Sequence, residues 1–322
     1  MSDLTPETAP YTRDQVVEIA RRRSNWGRWG VDDERGALNL IDDAKIRRAA
    51  GLVRRGVSFS CALPYDAQGP QPPGNDRTNP LHVMLMDGGD VGTEVQPFPG
   101  GFGYADDAVY MPLQSGTQWD AFSHIFFEGK MYNGYDTSQV TSRGAAKNSI
   151  DKLAGSVVSR GILVDIPRLL GIEWMQPGEG VSAAMLDAAV AGAGITPEAG
   201  DILLVRTGSL AWARGTGELW RMVGDAPGLA ISAAEWICER DLAAVATDSW
   251  AMEVVPNQTP DLTNPLHVIL NVHAGMLIGE LFDFEALAAD CAADGVYEFL
   301  FVAPPLPFSR AVGSPLNPVA IK

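Results

Sequence analysis

The sequence is poor in histidine, cysteine and positive charge. Its 322 residues include four histidines, three cysteines, and 24 Lys and Arg against 40 Asp and Glu, which gives a net charge of −16. A nucleic-acid-binding protein would present a basic face, and the one basic cluster is Arg21-Arg-Arg23, so that class is excluded. The cysteines are far apart and form no CxxC pair, which argues against a disulfide framework and a zinc knuckle.

Long hydrophobic runs are also missing. No apolar run approaches the roughly 18 residues that a membrane-spanning helix needs. The first twelve residues contain two acids before any base and no hydrophobic region, so they do not resemble a signal peptide. We therefore expect a cytoplasmic protein from a reducing compartment that binds neither membrane nor nucleic acid.

The remaining composition is typical of a globular protein, with 46% apolar and 20% charged residues. No linker or break in composition divides the chain. We therefore expect a single domain over residues 1–322, with an N-terminal arm and helices in 1–56 and a core in 57–322.

Apolar periodicity predicts strands and helices that alternate after residue 158. We expect helices over 14–23, 42–55, 182–193, 232–240 and 285–293, and strands over 57–63, 81–86, 160–166, 201–206, 242–248 and 296–303. This order is typical of an α/β protein with a compact mixed β-sheet and flanking helices.

The most polar stretch is Gln114-Ser-Gly-Thr-Gln-Trp-Asp-Ala-Phe-Ser-His124, which lies between apolar segments. In a strand, Gln118 and Asp120 would point to the same face. Gln114 can join them only if the chain bends at 115–116, where a glycine permits it. The stretch is either a strand and turn whose polar groups satisfy one another, or a functional site.

A second polar cluster joins His267 to Glu280. In one continuous helix these residues would lie about 20 Å apart. A turn at 274–275, followed by a strand from 276, would bring them back together. Glu280 is then either a salt-bridged or capping acid in an apolar run, or a site residue. For His82 and His273 a structural role is favoured.

Residues 114–124 resemble the signature His-x-Gly-Thr-His-x-Asp-x-Pro-x-His of the cyclase family, which includes bacterial kynurenine formamidase and isatin hydrolase. Four motif positions match, at Gly116, Thr117, Asp120 and His124. The resemblance extends to His267 and Glu280, to the loop 29–39 and to the C-terminal Pro304-Pro-Leu306 and Gly313-Ser-Pro315, so it covers most of the chain.

The resemblance implies a cyclase-family (swivelling β/β/α-like) fold and a divalent metal that serves amide hydrolysis. It implies that His124 is the general acid/base and that Glu280 takes part in catalysis. The implied metal ligands are Gln114, Gln118, Asp120, His267 and Glu280. Gln114 and Gln118 replace the first two histidines of the motif, and Phe122 replaces its proline.

The glutamines alter the chemistry that the motif predicts. An amide oxygen is a poorer zinc ligand than an imidazole. The resulting oxygen-rich set favours manganese, magnesium or calcium over zinc. Alternatively, the site holds no metal and the glutamines bind the substrate.

Three hypotheses follow. The first is a hydrolase of a formamide, cyclic amide, imide or lactone that uses metal-activated water. The second is a metal-independent cyclase or isomerase on the same scaffold, and the third is a non-catalytic small-molecule binding protein. Trp29, Phe102 and Trp119 are candidate walls for a flat substrate. The resemblance also implies a homodimer or homotetramer.

Overall fold

A computed structural model describes residues 4–322. The α-helices are α1 Arg13–Arg22, α2 Asp43–Ala50, α3 Ile166–Leu170, α4 Ala183–Gly192, α5 Ser209–Thr216, α6 Ile231–Glu239, α7 Pro265–His267, which continues as a π-helix over Val268–His273, and α8 Glu285–Asp294. Short 3-10 helices span Gly36–Leu40, Gly88–Asp90, Pro99–Gly101, Tyr132–Gly134, Thr137–Gln139, Ile150–Leu153 and Leu219–Met222.

The strands are mostly short. They are β1 Ser58–Ser60, β2 Leu81–Met86, β3 Asp106–Tyr110, β4 Gln118–Asp120, β5 Val140–Thr141, β6 Gly144–Ala145, β7 Val158–Asp165, β8 Gly180–Val181, β9 Ile202–Arg206, β10 Gly228–Leu229, β11 Ala244–Thr247, β12 Leu277–Glu280, β13 Glu298–Val302, β14 Gly313–Pro315 and β15 Val319–Ile321.

In the described residues, nine strands form one mixed sheet in the order β1-β15-β13-β7-β9-β11-β12-β4-β14. Its centre, from β7 to β12, is parallel, and β4 and β14 extend it with antiparallel pairing. The mixed α/β class predicted from the sequence is therefore confirmed.

The central parallel strands of the sheet are apolar on both faces, as buried parallel strands require. In β9, Leu203 and Val205 pack with α1, α4 and α6 on one side. The alternate residues Ile202 and Leu204 pack with Phe299, Phe301 and α8 on the other. This alternation explains why the strands are nearly continuous hydrophobic runs in the sequence.

Most predicted elements are present within a few residues of their predicted bounds. The clearest difference is the helix predicted over 42–55. Asp42 caps α2, and its carboxylate accepts from the Lys45 N–H at 2.6 Å, but the helix ends at Ala50. After Gly51 the Leu52 N–H bonds back to the Ala49 carbonyl in a turn, and the N–H groups of residues 55–57 bond to the carbonyl of Lys322 instead of continuing the helix. Among the described residues, no helix is long and apolar enough to cross a membrane.

Strands β4 and β12, which both bear polar side chains, lie in close contact at a glycine. A Cβ at Gly279 of β12 would lie 2.5 Å from the Trp119 ring of β4 and 2.7 Å from Ala246 Cβ. All three residues are in the packed interior of the sheet, where added volume forces neighbours to move. Gly279 therefore permits the close contact of β4, β11 and β12.

We predict that Gly279→Ala lowers the free energy of unfolding by about 1–3 kcal/mol, because the new methyl group would clash with the Trp119 ring. Urea denaturation measures this change. Gly215→Ala in α5 is the control, since a Cβ there meets nothing within 4 Å. The control should be neutral or more stable by about 0.5–1 kcal/mol. Equal stability of the two variants would contradict this account of the contact.

Candidate active site

Strand β4 places two polar side chains on one face of the sheet. Gln118 and Asp120 are two residues apart and share that face, whereas Trp119 points into the core. Across the antiparallel pairing, Glu280 of β12 lies directly opposite Gln118. Directly opposed residues have side chains on the same face, so Glu280 joins the other two.

The cluster is completed by His267. One possible ligand atom from each of Asp120, His267 and Glu280 lies within 4.8 Å of the others, and all three residues are buried. The His267 Nε2 is 3.4 Å from Glu280 Oε1 and 3.7 Å from Asp120 Oδ2. Two segments separated by about 150 residues of chain thus form one compact polar group.

A tight turn brings His267 and Glu280 together. His267 ends α7, and the π-helix that follows it stops just before Gly275, whose φ is +61°. A Cβ at Gly275 would lie 2.2 Å from the Tyr132 ring, so glycine is required both by conformation and by space. The chain then reverses into β12, which confirms the turn predicted at 274–275.

Glu253, which was not predicted from the sequence, holds His267 in place. Its carboxylate pairs with His267 Nδ1 and accepts from the Leu266 N–H at 2.7 Å. This bond leaves Nε2 to face Asp120 and Glu280. A carboxylate on the other ring nitrogen orients metal-binding histidines in the same way. Glu253 lies in an irregular segment after β11, and its only sequence signal is a lone acid between apolar residues.

The buried charges perturb one another. Burial, and then the neighbouring Asp120 carboxylate, raises the pKa of Glu280 to about 7. Burial acts to raise the pKa of Asp120, but His124, His267 and Arg77 outweigh it and lower the pKa below its usual value. Burial acts to lower the pKa of His267, yet the carboxylates of Glu253, Asp120 and Glu280 raise it well above 6.5. The carboxylates of the cluster therefore favour a positive charge at its centre.

Gln118 bridges the two carboxylates. Its Nε2 donates to Glu280 Oε2 at 3.0 Å and to Asp120 Oδ1 at 3.3 Å. Its Oε1 is buried and has no hydrogen-bond partner among residues 4–322. Two carboxylates, one imidazole and an unpaired amide oxygen form a donor set that fits a divalent cation.

Gln114 lies on the same side of the sheet but does not bond to the cluster. Its Nε2 is 2.5 Å from the position of a Cβ at Gly313, the residue opposite Asp120 in β14. In the described part of the chain this Nε2 is buried without a partner. The bend expected at 115–116 is a turn in which the Ser115 N–H bonds to the Pro112 carbonyl at 3.1 Å.

His124 lies beside the cluster at the end of the motif. Its Nε2 is 3.9 Å from Asp120 Oδ1, and its side chain is about one-fifth exposed. Burial lowers the pKa of His124, and the attraction of Asp120 does not fully offset this. A neutral imidazole with access to solvent can accept a proton.

The three aromatic residues expected to contact a substrate do not line this group. Trp119 is fully buried and its Nε1 donates to the Ala303 carbonyl at 2.8 Å, away from the cavity that opens onto the cluster. Phe102 is 60% exposed and packs near Phe98 and Tyr104 in the loop between β2 and β3. Trp29 lies under the Arg28 guanidinium at 4.7 Å, away from the cluster's cavity.

A cavity of about 130 Å³ opens onto the cluster. It is lined by Arg77, Asp120, His124, Ile125, Trp250, Ala251, Asn264, His267 and Glu280. Arg77 and Trp250 were not predicted from the sequence. Arg77 comes from the Pro- and Gly-rich loop between β1 and β2, and Trp250 follows β11.

The chain is similar to proteins of one family. The Cyclase family model, described as "Putative cyclase", matches residues 45–254. A crystal structure described as a novel cyclase is 38% identical, covers 98% of this chain and 100% of its own, and has a TM-score of 0.85. No curated protein sequence matches.

More distant structures share the fold. Isatin hydrolase A from Labrenzia aggregata, bound to benzyl benzoate, is 18% identical with a TM-score of 0.59, over 84% of this chain and 94% of its own. Isatin hydrolase A from Ralstonia solanacearum is 17% identical with a TM-score of 0.60, over 86% and 94%. The family model, the 38% identity over nearly the whole chain and the motif residues together show that this chain belongs to the cyclase family.

Proposed function

We propose that the protein is a metal-dependent hydrolase that cleaves a C–N or C–O bond in a formamide, cyclic amide, imide or lactone. The observation that carries this proposal is the buried group of Asp120, His267 and Glu280, which opens onto a cavity beside His124. The names of the two isatin hydrolases, which share the fold, support a hydrolytic reaction.

Asp120, His267 and Glu280 would hold the metal ion, with the amide oxygen of Gln118 as a further oxygen donor. Gln114 remains a candidate ligand, since it lies on the same side of the sheet. The oxygen-rich set favours manganese over zinc. Such an ion supplies a Lewis acid for the carbonyl and lowers the pKa of a water molecule.

The protein's own groups carry the proton. His124 takes a proton from the attacking water and returns it to the leaving nitrogen or oxygen, since its lowered pKa keeps the imidazole neutral and able to accept. Glu280 stabilises positive charge at the cluster. Glu253 keeps His267 oriented, because it fixes Nδ1 and leaves Nε2 directed at the carboxylates.

The proposal predicts that turnover depends on both the metal and Glu280. Protein loaded with Mn²⁺ should hydrolyse at least one member of a panel of N-formyl aromatics, cyclic amides, imides and lactones. EDTA should abolish that turnover and added Mn²⁺ should restore it, while Glu280→Gln should stay inactive, because it loses a charged ligand. Rates and elemental analysis are measured on the same preparations.

Other outcomes of this experiment point to the remaining hypotheses. Turnover that is indifferent to EDTA, in protein without stoichiometric metal, would favour a metal-independent cyclase or isomerase. Binding of panel members without any turnover would favour a non-catalytic binding protein. Either result would contradict metal-dependent hydrolysis.

His124→Ala should lower the hydrolysis rate by about 10²–10⁴-fold, because it removes the group that moves the proton. The melting temperature should change little, since His124 is at the edge of the cavity and is partly exposed. His82→Ala is the matched control, as this histidine is on the exposed hairpin, where its Nε2 is 2.7 Å from Asp107. A variant His124→Ala with full activity would contradict the assigned role.

We also propose that the protein is a homodimer or homotetramer and that the hairpin β2–β3, with its connecting loop, contributes to the contact. Residues 81–110 hold more than half of the large apolar side chains that are exposed among residues 4–322. Leu81, Leu85 and Tyr110 are each at least 60% exposed. Apolar surface at this density is typical of a surface that binds another protein.

The double variant Leu85→Lys, Tyr110→Lys should therefore dissociate the oligomer, because each substitution would bury a charge in an apolar contact. Light scattering with size-exclusion chromatography gives the mass. Trp220→Lys serves as the control, since Trp220 is 41% exposed elsewhere on the surface. A monomeric wild-type protein, or a double variant of unchanged mass, would contradict the proposal.

A further inference from the structure

The Arg77 guanidinium forms no direct ion pair with the part of the protein that the structure describes, although its charge helps to lower the pKa of Asp120 across the cavity. Its one hydrogen bond to the described residues runs from Nη1 to the Gln114 carbonyl at 3.3 Å. Within residues 4–322, no carboxylate lies within 4.0 Å of it, although Asp120 and Glu280 line the same cavity. Most of the guanidinium's N–H donors are therefore free to bind something other than the protein.

The loop that carries Arg77 is anchored. Gln71 is buried and its Nε2 donates to the Ser115 carbonyl at 3.0 Å. Asn79 closes the loop, since its Oδ1 accepts from the Gln71 N–H at 2.9 Å and its Nδ2 donates to the Gln71 carbonyl at 3.0 Å. These bonds tie both sides of Arg77 to the turn that leads into β4. The loop that carries Arg77 is thus positioned before any ligand binds.

A second unpaired donor lies at the same cavity. Trp250 is one of the residues that line it, and its Nε1 is buried without an acceptor in the described chain. The ring also packs against the apolar cluster of Leu63 and Leu281, which limits its movement. A buried N–H without an acceptor is destabilising by about 1–3 kcal/mol, so an acceptor supplied by a ligand would be favoured.

We propose that Arg77, with the indole N–H of Trp250, binds a carboxylate group of the substrate, so that the enzyme prefers amides or lactones that bear a carboxylate apart from the bond that is cleaved. This inference rests on the proposed hydrolytic function. A guanidinium matches a carboxylate in geometry and charge. A dianionic phosphate would fit less well, because Asp120 and Glu280 line the same small cavity.

The chain's overall charge makes such a local cation necessary. With a net charge of −16, the protein repels anions at long range. An anionic substrate would bind only where a fixed positive group outweighs this repulsion. Arg77 is the one Lys or Arg among the residues that line the cavity.

Two probes that differ only in this group test the proposal, namely N-formylanthranilate and N-formylanthranilamide. Calorimetry should show that wild-type protein binds the carboxylate about 10- to 100-fold more tightly than the carboxamide. Arg77→Met should abolish that preference, and Arg77→Lys should keep part of it. Arg54→Met, on the exposed surface away from the cavity, should keep all of it.

Each titration is repeated on EDTA-treated protein and accompanied by a melting curve. If folded Arg77→Met still prefers the carboxylate, or if wild-type protein loses the preference when EDTA removes the metal, the carboxylate binds elsewhere. Either result would overturn the proposal. Failure of the wild-type protein to distinguish the probes would overturn it too. If the preference depends on Arg77 but neither probe is hydrolysed by metal-loaded protein, the inference stands and the proposed hydrolysis of such amides fails.

The variant Trp250→Phe tests the contribution of the indole N–H separately from that of the Arg77 guanidinium. It should weaken binding of both probes by about 3- to 10-fold, because each presents an oxygen that can accept from an indole N–H. Unchanged binding in this variant would remove Trp250 from the assignment and leave Arg77 as the group that recognises the carboxylate.

Discussion

Two carboxylates buried side by side are the constraint on which the rest of this structure depends. Asp120 and Glu280 belong to neighbouring strands, and the pairing register places both on one face of the sheet. Buried like charges are costly unless other groups compensate them. The Gln118 amide and the His267 imidazole meet that need within the protein, and a divalent cation would meet it more fully.

The surrounding core makes this polar group rigid. The Thr117 hydroxyl donates to the Leu281 carbonyl at 2.5 Å and accepts from the Leu63 N–H at 2.8 Å, which fixes the start of β4. Trp119 anchors the opposite face, and Gly279 leaves room for its ring. A site on strands that are packed on one side and polar on the other is more precisely positioned than a site on loops.

The two glutamines have different surroundings, although they replace equivalent histidines of the motif that the sequence resembles. Gln118 is bonded to both carboxylates, and its remaining acceptor atom is beside the cluster. Gln114 occupies space over Gly313, where any larger residue would displace it. Gln118 therefore lies within the charged group, whereas Gln114 is at its margin.

The sequence by itself determined the mixed α/β class, most of the helices and strands, and the turn at Gly275, because these follow from apolar periodicity and from local backbone chemistry. It also pointed to Asp120, His267 and Glu280 through their polarity in apolar surroundings and through the family motif. Only the tertiary structure placed Glu253 behind His267 and Arg77 at the cavity, and directed Trp119 into the core. These facts depend on contacts between segments far apart in the chain, and no local pattern in the sequence encodes which loop reaches which strand.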